Sequence, residues 1–109
     1  MNLHEYQTKS RETALYPDLG NNFVYPTLGL AGEAGEVADK VKKVIRDKNG
    51  VFGIEEKIQL KLELGDVLWY VAQISTELGF DLNDVALKNI EKLSSRSSRG
   101  KISGSGDNR

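Results

Sequence analysis

The chain has 109 residues, room for one domain, and 39% of them are hydrophobic against 28% charged, which places it among soluble globular folds. It has no cysteine, which excludes disulfides and thiolate metal sites, and a net charge of −1, which gives no global argument for a nucleic-acid partner. No apolar run approaches the roughly 18 residues of a membrane span, and "MNLHEYQTKS" lacks a secretory apolar core, so the reading is of a soluble cytoplasmic protein with no membrane and no stable nucleic-acid partner.

"NLHEYQTKSRETALY" has helix-forming composition and predicts a first helix from Asn2 to Tyr16. "PDLGNN" breaks it. Pro26 suits the first turn of a second helix, which runs to Lys48, where "KNG" supplies a stop. A third helix is predicted over Glu55 to Leu78, ending at Gly79. Asp81 or Asn83 caps a fourth, running to Ser97. The remainder is rich in Gly and Ser and reads as a flexible tail over 102–109, following a domain over 1–101. No segment has a strand period. The expected class is all-α, a bundle of about four helices per subunit.

Three glycines, Gly29, Gly32 and Gly35, recur every third residue in the second helix, in "GLAGEAGEVADKV". Each costs ~1 kcal/mol relative to alanine in a helix interior. With Glu33 at zero and ~100° per residue, Leu30, Ala34, Val37, Ala38, Val41, Val44 and Ile45 fall within about 20–140°, which predicts the core face. Glu33 and Glu36 lie along its flank. With Glu63 at zero, the third helix repeats this pattern. Leu60, Leu64, Val67, Leu68, Val71, Ile74 and Leu78 form the stripe, and Glu63 and Asp66 the flank. "E-A-G-E" and "E-L-G-D" thus recur at an offset of thirty, in the same helix phase.

With 16 acidic residues in 109, acidic pairs three apart arise about twice by chance, so one pair alone means little. The repeat of phase, glycine and flanking aliphatics means more. Two antiparallel helices joined by "NGVFG" bring two such pairs together. Four carboxylates do not stay ionised side by side without cations. Hard oxygen ligands select Mg²⁺, Mn²⁺ or Ca²⁺ rather than zinc. A di-iron bundle would want Glu-x-x-His on facing helices. The one histidine, His4, lies in the first helix and reads as a surface or satisfied residue. The glycines let a neighbouring helix or a charged ligand approach the backbone beside the carboxylates, or they form a packing seam.

In the fourth helix Asn89, Lys92 and Arg96 share one flank, with Ala86, Ile90 and Leu93 on the core side. Cations there suit an anionic ligand, or they complement the helix dipole. Trp69 and Leu62 lie off the main stripe of the third helix and predict a second buried contact, with another helix or subunit. Tyr6, Tyr16, Phe23 and Tyr25 read as packing residues in the main.

Glu33-x-x-Glu36, twenty-six residues, then Glu63-x-x-Asp66 resembles the E-x-x-E…E-x-x-D signature of MazG-like nucleoside triphosphate pyrophosphohydrolases. "NIEKLSSR" is similar to the N-x-x-K…R element that follows it. The resemblance covers residues 3–101. It implies Mg²⁺-dependent hydrolysis of a (deoxy)nucleoside triphosphate to the monophosphate and pyrophosphate, with Mn²⁺ as an alternative metal. It implies metal ligation and catalysis by Glu33, Glu36, Glu63 and Asp66. It implies homodimers or dimers of dimers. Substrate contacts fall to Asn89, Lys92 and Arg96, with Gln7 and Lys40 as further pocket candidates. Arg99 and Lys101 are expected to form a mobile flap, and residues 103–109 to matter little. The alternative is a non-catalytic helical module that binds nucleotide or metal.

Overall fold

In a computed structural model, which describes residues 1–100 and 102–108, the described chain forms four helices and no strand. They are α1 (Leu3–Arg11), α2 (Val24–Asp47), α3 (Ile54–Glu77) and α4 (Leu82–Ser98). The all-α expectation and the four elements are as the sequence predicts. The first helix is shorter. Asn2 caps α1 by accepting the Glu5 N–H at 2.8 Å. The helix then ends at Arg11 rather than Tyr16, because Tyr16 is needed elsewhere. Its ring is buried and its hydroxyl reaches Glu77 of α3 at 2.9 Å. Thr13 assists the exit by donating to the Ser10 carbonyl at 2.7 Å.

Asn22 starts α2, its side chain accepting the Tyr25 N–H at 3.1 Å. Pro26 sits in the first turn and is fully buried. Asn49 and Gly50 end the helix with left-handed φ values of 54° and 73°, and the Gly50 N–H closes on the Val44 carbonyl. Asp81, not Asn83, caps α4, accepting the Asn83 N–H at 2.8 Å.

The α2–α3 hairpin is antiparallel. Gly29 meets Tyr70, Glu33 meets Asp66, Lys40 meets Glu63 and Lys48 meets Glu56 as α2 is followed forward. The internal repeat is visible in three dimensions. Residues 31–41 and 61–71 show the same order of exposed and half-buried positions. Val37, Val41, Val67 and Val71 are half-buried, each contributing about 1 kcal/mol.

The predicted core stripes are only partly buried. Ala34, Ala38 and Ile45 of α2, Leu64 and Leu68 of α3, and Leu78 just after it are exposed. α2, packed on one neighbour, buries only the centre of its wide apolar stripe. Among the described residues the buried apolar side chains are Ala14, Tyr16, Pro26, Val44, Ala72 and Leu82. The radius of gyration is 16.7 Å, against roughly 13 Å for a compact domain of this length. α2 touches α3 but neither α1 nor α4. Trp69 finds its contact within the chain, donating to Thr13 at 2.8 Å, whereas Leu62 is exposed.

α1 runs antiparallel to α3, and their seam is polar. Gln73 is fully buried and donates to Ser10 at 2.9 Å. Gln7 donates to Thr76 and to the Phe80 carbonyl, and accepts the Leu82 N–H at 2.7 Å. Among the described residues no buried side-chain polar atom lacks a partner.

Candidate metal and nucleotide site

Glu33, Glu63 and Asp66 each offer a carboxylate oxygen within 4.8 Å of the other two. Glu33 projects from α2 and the others from adjacent turns of α3. Burial comes first in raising the Glu33 carboxyl above its usual range, followed by the charges of Asp66, Glu63 and Glu36. The Lys40 ammonium stands 3.7 Å from Glu63, too long for a strong hydrogen bond.

The donor set fits a hard divalent cation. Two oxygens on one Mg²⁺ lie at most about 4.2 Å apart, and on one Ca²⁺ about 4.8 Å. Small side-chain rotations bring the three carboxylates within that reach. Glu36 is outside this triplet. It lines the neighbouring groove with Lys40, Lys43 and Gln59, one turn further along α2. Its charge is nevertheless felt at Glu33.

Aromatic residues wall the other side. Thr13, Trp69 and Tyr70 line a cleft with Glu33 and Asp66. Trp69 and Tyr70 meet edge to face at 4.9 Å. Tyr70 was not among the residues the sequence marked, although its position four residues after Asp66 puts it on the same flank.

Of the α4 candidates, Asn89 and Lys92 line a groove separate from the carboxylate cluster, and α4 packs on α1 and α3. Asn89 is exposed and lines a groove with Phe80, Lys88 and Lys92. Lys92 pairs with Asp107 at 2.9 Å, and Arg96, which is buried, pairs with the same oxygen at 3.3 Å. Residues 103–109 therefore include a partner of both cations. Arg99 donates to the Ser95 carbonyl and hydroxyl, while Lys101 of the expected flap lies outside the described residues. Gln7 has its amide engaged at the α3–α4 corner. His4 is exposed and pairs with Asp81 at 2.8 Å.

A helix that presents one carboxylate to a pair on its antiparallel neighbour, within an all-α chain, defines a class of carboxylate-bearing helical hairpin. The sequence profile of the MazG nucleotide pyrophosphohydrolase domain matches residues 26–100, which hold all but the first two residues of the hairpin, and α4. The chain belongs to that family. It is also 49% identical, over the full length of both chains, to the Gene 37 protein of Mycobacterium phage L5. No solved structure gives a significant match. Among the described residues no helix is long and apolar enough to cross a membrane.

Proposed function

We propose that the chain hydrolyses nucleoside triphosphates to the monophosphate and pyrophosphate at the α2–α3 carboxylates, with Mg²⁺ or Mn²⁺ bound there. The observation that carries this reading is the convergence of Glu33, Glu63 and Asp66 from both arms of the repeat, in a chain of the MazG family. Glu36 joins them as the fourth ligand by rotating from its groove. A bound divalent cation supplies positive charge to the phosphoryl oxygens as negative charge develops there.

The protein groups do the rest. The carboxylates hold the cation and accept the proton of the attacking water. Water oxygen bonds to phosphorus, and the α–β anhydride bond breaks to release pyrophosphate. Lys92 and Arg96 neutralise the phosphates, Asn89 orients them, and Lys40 supports the cluster from α2. Gln7 serves the fold instead, since its donors and acceptor are already engaged.

The subunit works as a homodimer or dimer of dimers. Three features support this: the small buried core, the extended shape and the exposed Leu62, Leu64 and Ile90. A second chain covers these faces and brings α4 cations to a carboxylate hairpin. Incubation with a panel of NTPs and dNTPs and Mg²⁺, reading monophosphate and pyrophosphate, tests the activity. Metal-dependent release of both products is expected. Saturable nucleotide binding without turnover would leave the binding-module alternative.

A further inference from the structure

We propose that Tyr70 is a positioning residue for the carboxylate cluster, its ring seated on the bare backbone of Gly29. The proposal rests on the metal reading above and adds the device that sets the cluster's dimensions. Gly29 precedes Glu33 by one turn of α2, and Tyr70 follows Asp66 by one turn of α3. A Cβ built on Gly29 would overlap the Tyr70 ring carbons Cε1, Cζ and Cδ1. The ring thus occupies the volume that any other residue would fill at this point. Gly32, Gly35 and Gly65 differ, because a Cβ on each meets nothing within 4 Å. Of these four helical glycines, Gly29 alone is required by the packing of α2 on α3.

The ring is held on one side and faces the carboxylate cleft on the other. Trp69 packs against it edge to face at 4.9 Å, and Trp69 is itself tied to Thr13 through its indole N–H. An added methyl at Gly29 must therefore push the ring off its seat or move the helices apart. One helical turn is about 5.4 Å, so the displacement reaches Glu33 and Asp66 nearly undiminished. Their oxygens lie within 4.8 Å of one another and of Glu63's, a span that one Mg²⁺ closes only with side-chain rotation. A further separation asks more of those rotations and weakens the hold of the α2 and α3 carboxylates on a shared ion. The glycine weakens the helix and in return seats the ring that sets the ligand spacing.

The test is Mn²⁺ binding to the full chain by calorimetry, with circular dichroism as the folding control. Gly29→Ala should bind Mn²⁺ about tenfold more weakly or worse while keeping its helix content. Tyr70→Phe, which keeps the ring, should bind as the wild type does. Tyr70→Val should bind about threefold more weakly, through loss of the seat. Gly29→Ala/Tyr70→Val removes the overlap and should regain about threefold or more over Gly29→Ala, a coupling that independent packing defects would not show. Wild-type affinity in Gly29→Ala, or a double variant weaker than either single one, overturns the seat. If Gly29→Ala does not fold, equal affinities of Tyr70→Phe and Tyr70→Val overturn it. Failure of the wild type itself to bind Mn²⁺ would instead strike down the metal reading on which the seat rests.

Discussion

Glu77 and Glu33 are both withdrawn from water, yet their surroundings are opposite. Glu77 lies at the α1–α3 seam with its side chain fully buried. Burial alone would raise its pKa. The Asn22 N–H, the Arg11 guanidinium, the Tyr16 hydroxyl and the Gly20 N–H reverse this and draw it down to about 2. Glu33 lies at the α2–α3 seam, where burial is joined by three other carboxylates, and its carboxyl is raised. One carboxylate has its donors built into the fold. The other is surrounded by groups that worsen its charge. The first is a structural node that anchors the loop between α1 and α2. The second has the electrostatics of a site completed from outside by a cation.

The contrast is broken most directly at the α3 ligands. Glu63→Gln and Asp66→Asn keep volume and remove charge. Each is expected to lower kcat/KM by about 10²–10³-fold, the range for losing one charge-stabilising group. Steady-state kinetics at saturating Mg²⁺ checks this, and full activity in either variant would return the cluster to a solvated face.

Next in size is Lys92→Ala, expected to lower kcat/KM by about 10²-fold, mainly in kcat if the contact strengthens on the departing pyrophosphate. A change confined to KM would assign Lys92 to ground-state binding instead.

Glu77→Gln sharpens the structural half of the comparison. It leaves the Arg11 charge without its anion and should cost about 2 kcal/mol of stability, measured by urea unfolding. The pH dependence follows from the same shift. The folded pKa of about 2 lies below the ordinary 4.5, so the Glu77 contribution is full above pH 4.5 and is lost as pH falls toward 2. The variant should show a flatter acid limb over that window.

The smallest effect is expected at Asp107. Its pairs with Lys92 and Arg96 are made by a largely exposed carboxylate, so Asp107→Asn should change stability by about 0.5 kcal/mol or less. It should also free both cations, tightening inorganic pyrophosphate binding by about twofold. Weakened binding would show that Asp107 orients the cations rather than competing for them.

Much of this was legible in the sequence because it is periodic. The repeat of "E-A-G-E" as "E-L-G-D" announces two matched helices, and their burial patterns coincide in the fold. The seam of α1 was not legible, because its partners are far apart in the chain. Arg11, Tyr16 and Asn22 converge on Glu77 across 55 to 66 residues, and no local period marks them. The early end of α1 follows from that convergence rather than from helix propensity. The glycines were legible as an anomaly but not by role. Gly29 is distinguished from Gly32 and Gly35 only by the ring that lies across it. Asp107 was hidden for a similar reason, since a Gly/Ser-rich segment gives no signal that one carboxylate in it meets α4.

The central claim is that the α2–α3 carboxylates are a cation site rather than part of the packed structure. Thermal melting of wild type and Glu33→Gln, each with and without Mg²⁺, tests it most directly. Without metal, Glu33→Gln should melt above the wild type, because it removes a carboxylate held among like charges. With Mg²⁺ the wild type should rise in melting temperature and the variant should respond far less. A lower melting temperature for metal-free Glu33→Gln, together with no Mg²⁺ response in the wild type, would contradict the account.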